Sequence, residues 1–305
     1  MRGYLLDISP SGRDEVILWV KRLDGRVVSH RVKWMPRIYV HGFLESLVKL
    51  GRLLSQRYFV DFVERSVKPG SPPETVLEIK VPFGSKKRVA NLILDLGNHQ
   101  LFKVYNVDLP SMQEFLYQYE LHPTALTDLS NDGLKVLDSI EDLDYDLSWV
   151  KVAHLDAKVE TSSIAPRFSN RLREVVVEMD GERIVLDGAE DGILQDLTKA
   201  LDDLDIDVII TDGGDSFLLP FLHYRAYVNG VELRLGRAED PRNFKPSSST
   251  YFSYGRVYCR FRLRGRIHID SSNSMLYRET GLDGLIEVST VARISVQDAA
   301  RYTIG

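Results

Sequence analysis

The sequence predicts a mixed α+β chain built as two domains, expected over residues 1–130 and 131–305. Three observations carry this. Two Asp-Gly dipeptides, Asp24-Gly25 and Asp180-Gly181, each separate a pair of strand-like runs, one pair in each half. Segments with helical spacing alternate with short β-rich runs throughout. A fully apolar run, Val208-Ile209-Ile210, leads straight into Asp212-Gly213-Gly214-Asp215, which reads as a buried strand leaving a sheet by a tight turn. At 305 residues and 44% hydrophobic, the chain is large enough for two packed cores.

In the first half, Gly3–Ile8, Val16–Lys21, Arg26–Val32 and Pro36–Val40 read as strands. Leu44, Leu47, Leu50 and Leu54 give 44–56 helical spacing. Residues 58–67 and 75–81 are strand-like, separated by the loop Pro69-Gly70-Ser71-Pro72-Pro73. Val89, Leu92, Ile93 and Leu96 place a helix over 86–97. A short strand at 102–105 and a helix at 112–119 complete a small α+β domain. Residues 120–148 are acidic and weakly patterned, and read as a connection.

In the second half, 150–157 is a strand, and 173–179 with 182–186 forms a hairpin. Ile193, Leu194, Leu197 and Leu201 share one side of a helix over 191–204. The buried strand 207–211 and a helix over 216–227 follow. Residues 241–249 read as a loop, 254–268 as a strand pair, and the last segment as helical. Strand, hairpin, helix, buried strand, helix is the order of a ribonuclease-H-like, exonuclease-type domain with a mixed sheet.

No apolar run reaches the ~20 residues that cross a bilayer, and Met1–Glu15 turns polar too early for a signal peptide. The single cysteine, Cys259, excludes an intrachain disulfide and a cysteine-based zinc site. A cytoplasmic protein without membrane contact is expected. The net charge of −5 is not that of a wholesale nucleic-acid binder, but charge is uneven. Eight acids lie between Asp128 and Asp156, and five arginines lie between Arg256 and Arg266. Even spacing at 260, 262, 264 and 266 reads first as the wet face of one strand. Read instead as a binding strip, Arg256, Arg260 and Arg262 with Tyr254 and Tyr258 offer cations for a phosphate backbone and rings for stacking bases.

Three segments, in order, resemble archaeal family B DNA polymerases. GYLLDISPSGRDEVILWVKRLDGR with MPRIYV is similar to the family's amino-terminal domain. DVIITDGGDSFLLPFL resembles its second exonuclease motif, Y-N-G-D-N-F-D. SYGRVY with GRIHID resembles the G-R-x-H-x-D segment late in the exonuclease domain. The likeness is greatest to a divergent archaeal subgroup whose motifs are degraded. The resemblance implies part of a DNA-directed DNA polymerase, a nucleotidyltransferase of replication or repair. It implies a single-stranded or primer–template DNA partner and the remaining polymerase domains. The palm, fingers and thumb motifs do not occur in this sequence. Mg²⁺ is expected for the parent polymerase, and no cofactor for this segment.

Such exonucleases hold two metal ions in a cluster of carboxylates. In the first motif, Asp-x-Glu, Asp156 matches the Asp, while Lys158 stands where the Glu should be. Glu160 lies two residues late on the same strand face. In the second motif, Gly213 takes the Asn position and Leu218 takes the metal-binding Asp. Asp212 and Asp215 are the nearest acids, and Asp215 suits a helix cap or a turn. Asp270 of GRIHID reads as structural. The expectation is a degenerate nuclease with no metal site. Two other readings stay open: a non-catalytic nucleic-acid or partner-binding module, and an active 3′–5′ exonuclease using the shifted ligands Asp156, Glu160 and Asp215.

Overall fold

The computed structural model describes residues 1–130, 133–142, 146–161, 166–238, 251–253, 256–258 and 261–302. Residues 241–249, expected as a loop, lie outside them. The chain is of mixed α+β class, and it divides into two compact units. The first comprises 1–8, 18–29 and 122–305; the second comprises 9–17 and 30–121.

Strands β1 (Arg2–Ser11), β2 (Glu15–Arg22) and β3 (Val27–Lys33) form a meander, its second turn set by Gly25 at φ +86°. They continue into β8 (Leu126–Ser130) and β9 (Gly133–Val136), giving the order β3-β2-β1-β8-β9. The acidic segment read as a connection therefore contributes two strands. Its pattern was hidden because Thr127, not an apolar residue, is the fully buried position beside Leu129. The Thr127 hydroxyl donates to Gly3 O at 2.9 Å, which removes the cost of burying it.

The second unit holds β4 (Arg37–His41), β5 (Phe59–Ser66), β6 (Pro73–Lys80) and β7 (Lys103–Tyr105) in an antiparallel sheet ordered β5-β6-β4-β7. Helices α1 (Leu44–Leu54) and α2 (Lys86–Leu96) cover it through Leu47, Leu50, Leu54, Val89 and Ile93. Leu44, Leu92 and Leu96, expected on the buried faces, are exposed. Helix α3 (Ser111–Gln118) supplies Glu114, which Lys86 and the Arg37 amide bind.

The first unit also contains the sheet that matters for function. Strands β10 (Val152–Glu160), β11 (Arg171–Met179) and β12 (Glu182–Asp187) are antiparallel. Asp180 and Gly181, both at positive φ, make the hairpin turn. Strands β13 (Val208–Thr211) and β16 (Ile267–Asp270) add in parallel beyond β10, giving β12-β11-β10-β13-β16. Every residue of β13 and β16 is buried. On one face, Ile209 packs with Ile193, Leu194, Leu197 and Leu201 of α4 (Glu190–Asp203) and with α5 (Leu219–Asn229). On the other, Val208 and Ile210 pack with Leu285 and Ile286 of α6 (Met275–Ala292) and Val296 of α7 (Val296–Ala299). A sheet covered on both faces needs continuous apolar strands, which is why this run stood out. This is the ribonuclease-H-like architecture. Gly281, at φ +70°, breaks α6 into two helical pieces.

Candidate functional site

The positions matched to the first two exonuclease motifs fall on β10 and in the turn that follows β13. Strand β10 alternates strictly: Ala153 and Leu155 are buried, while His154, Asp156, Lys158 and Glu160 are exposed. Period-two geometry thus keeps the four polar residues on one face, as read from the sequence. That face is neutralised locally. The Lys158 ammonium donates to Glu174 Oε1 at 2.8 Å across the β10–β11 pair. This hydrogen bond holds the Glu174 carboxyl below its usual range. The Asp156 carboxylate accepts its neighbour's amide, Ala157 N, at 2.8 Å.

Strand β13 ends in the glycine turn. Gly213 sits at φ +68°, a left-handed conformation that Asn also tolerates, so Gly for Asn leaves the path of the turn unchanged. Gly214 has a different constraint. A Cβ there would lie 1.9 Å from Thr211 Oγ1 and 2.6 Å from His268 Nε2. The helix expected from Ser216 begins instead as one π-helical turn over Gly214–Leu218, with Leu218 N donating to Gly213 O at 3.1 Å. Asp270, at the end of β16, clamps the turn: Gly213 N and Asp215 N donate to its two oxygens at 3.0 and 2.8 Å. This is the structural role read for Asp270.

Asp215 neither caps a helix nor faces solvent. It is 1% exposed and held by Arg301. Arg301 Nε donates to Oδ2 at 2.8 Å and Nη2 to Oδ1 at 2.9 Å, a bidentate pair. Phe261 N donates to Oδ1 at 2.7 Å. Arg301 also donates to Phe261 O and Gln297 O, each at 2.7 Å. His268 closes the network. Burial, then the Arg301 charge, lowers its pKa to about 4, so the ring is neutral at pH 7. Both ring nitrogens are engaged: Nε2 lies 2.8 Å from Thr211 Oγ1, and Nδ1 lies 2.9 Å from Phe261 O and 2.8 Å from Arg301 Nη2.

Leu218 is 5% exposed and part of the apolar core with Leu219, Phe221 and Leu222. Asp212 is exposed. The residues present therefore do not fit a two-metal centre. The second-motif position is an apolar core residue, the Lys158 position is cationic, and both Asp215 oxygens are taken. Among the described residues, no three His, Cys, Asp or Glu side chains lie close enough to hold a metal ion.

The basic strip is described only in part. Tyr254, Arg260 and the side chains of Arg256 and Tyr258 lie outside the described residues. Strands β14 (Tyr251–Ser253) and β15 (Arg256–Tyr258) pair with each other, and residues 261–266 are not strand. Arg262 pairs with Asp298. Arg266, expected on a wet face, is 1% exposed and donates to Leu201 O, Ile206 O and Leu235 O, and to Asp202. Sequence reasoning missed this role, as it missed Arg301. It also missed the wholly buried Asp207, which accepts from Lys151 N and Arg237 at 2.9 Å and pairs with Lys21. Apart from Gln297, four residues before Arg301, the partners named for Arg266, Arg301 and Asp207 lie 30 to 186 residues away, so no local signal marks them.

The mixed α+β arrangement of sheets and helices is consistent with a polymerase's amino-terminal and exonuclease-like region. The chain is similar to the structure of the family B DNA polymerase from the hyperthermophilic archaeon Pyrobaculum calidifontis, with a TM-score of 0.70 and 19% identity over 92% of this chain. It spans 38% of that polymerase chain. No family model and no curated protein matches the sequence. Among the described residues, no helix is long and apolar enough to cross a membrane.

Proposed function

We propose that this chain is the amino-terminal and exonuclease-type part of a DNA-directed DNA polymerase, and that its exonuclease-type domain binds without cutting. The shared fold supports the polymerase context. One observation carries the loss of nuclease chemistry: Asp215 is locked beneath the turn by Arg301, while Leu218 puts a core side chain at the ligand position. Two-metal hydrolysis needs oxygen donors fixed around both ions to make hydroxide and to stabilise the leaving oxygen. Losing one donor removes several kcal/mol of transition-state stabilisation, about a hundredfold or more in rate. The partner in this reading is DNA, as a single strand or a primer–template, with the remaining polymerase domains.

The test pairs two measurements on the same chain. A 5′-labelled single strand incubated with Mg²⁺ or Mn²⁺ stays full length, and fluorescence anisotropy detects binding of that strand that weakens with added salt. Metal-dependent shortening that disappears in Asp156→Asn would return the domain to the active exonucleases. Absence of DNA binding at low salt would leave a scaffold for partner domains only.

A further inference from the structure

We propose that a second cleft in the first unit binds a guanidinium group. It shares no lining residue with the site above and encloses about 350 Å³, within the range of small-ligand sites. Tyr4 and Trp149 line one wall, stacked at 4.6 Å between ring centroids and only 5° from parallel. His122 and Asp138 line another part of the cleft.

That second pair is incomplete. His122 is 4% exposed and engages Pro123 O through Nδ1 at 3.1 Å, but its Nε2 makes no hydrogen bond. Asp138 accepts Leu126 N through Oδ2 at 2.7 Å, while Oδ1 makes none. The two idle atoms lie 3.3 Å apart, too poorly aligned to satisfy each other. Buried polar atoms left this way are uncommon, and here they belong to residues of a cleft.

The charge around them has one sign. Asp142, Asp146 and Glu287 line the same cleft, and among the described residues none that lines it is Lys or Arg. Hydrogen bonds from the Ser148 hydroxyl and amide keep the Asp146 carboxyl below its usual range. Four carboxylates without a lining cation repel phosphates, so this is not a nucleic-acid surface. The group that fits is cationic and planar. A guanidinium has donors in a fork that matches a carboxylate, and a flat face that stacks on Trp or Tyr. An ammonium matches the charge but not the plane.

The source is either a free small guanidinium compound or an arginine side chain of a partner protein. Calorimetric titration of the full chain separates them, with agmatine as the free probe and a capped Gly-Arg-Gly peptide as the side-chain probe. Saturable binding of either supports the site. Agmatine alone marks a free cation, and peptide binding marks a partner's arginine. The matching citrulline peptide should not bind, and putrescine should bind at least about tenfold more weakly than agmatine. Glu287→Gln, a change on an exposed position, and Asp138→Asn, which keeps an acceptor for Leu126 N, should each weaken binding about tenfold with an unchanged melting curve. No saturable binding of either guanidinium probe, equal binding of citrulline or putrescine, or full affinity in both variants overturns the proposal.

Discussion

Replacing Arg301 by Met tests whether the lock on Asp215 is as strong as its geometry implies. Both side chains are almost wholly buried, at 3% and 2% exposure. The substitution removes both charge-assisted hydrogen bonds and leaves the carboxylate with the Phe261 amide as its one remaining donor among those described. It also removes the Arg301 contacts to Gln297 O, Phe261 O and His268 Nδ1. An uncompensated buried charge of this kind costs about 3–5 kcal/mol. In a unit of this size that lowers Tm by roughly 10 °C. Adding Asp215→Asn removes the stranded charge and retains an acceptor for the Phe261 amide. The double variant should recover at least about 2 kcal/mol relative to the sum of the single changes. Urea unfolding followed by far-UV circular dichroism gives all four corners of the cycle. A single variant costing under about 1 kcal/mol, or simple additivity, would show that the pair is not what fixes Asp215.

Three further outcomes follow from other parts of the first unit. Burial raises the Asp7 carboxyl from 3.8 to about 7, against the Gly265 amide that donates to it at 3.1 Å. The folded state therefore keeps a proton that the unfolded state gives up above about pH 4. Stability from this group falls as pH rises from there to about 7. Asp7→Asn should gain stability with increasing pH, up to about 4 kcal/mol at pH 8, and a gain independent of pH would refute this. Gly265→Ala should cost about 2–3 kcal/mol by thermal unfolding, because φ is +72° and the new Cβ would lie 2.7 Å from the Trp19 ring. Leu218→Asp, intended to restore a ligand, should destabilise by about 2–4 kcal/mol and yield no metal-dependent nuclease, since Asp215 stays bound to Arg301. Cleavage by this variant would show that Leu218 alone silences the site.

Much of the fold was legible because its signals are local. Asp180-Gly181 demands a hairpin, and the spacing of Ile193, Leu194, Leu197 and Leu201 marks the buried face of α4. Val208-Ile209-Ile210 followed by two glycines gave the central strand and its turn. What stayed hidden depends on distant partners. Arginines at every second position fit a wet strand face, yet Arg266 ends among carbonyls contributed by residues 201–236. Asp215 read as a helix cap or a turn residue because aspartates commonly serve there, and its ion-pair partner Arg301 lies 86 residues away. Strands β8 and β9 escaped because a threonine, flanked by Leu126 and Asp128, holds the buried place.

The interleaving of the two units along the chain also has a kinetic consequence. Synthesis proceeds from the amino terminus, so every residue of the 9–17 and 30–121 unit is made before β8. The opening strand, by contrast, must wait more than a hundred residues for its neighbour, since Gly3 aligns with Thr127. Closing so long a span slows folding. The nascent polypeptide therefore carries an unmatched β-edge while its second unit is already able to form, and that interval is when a chaperone has most to protect.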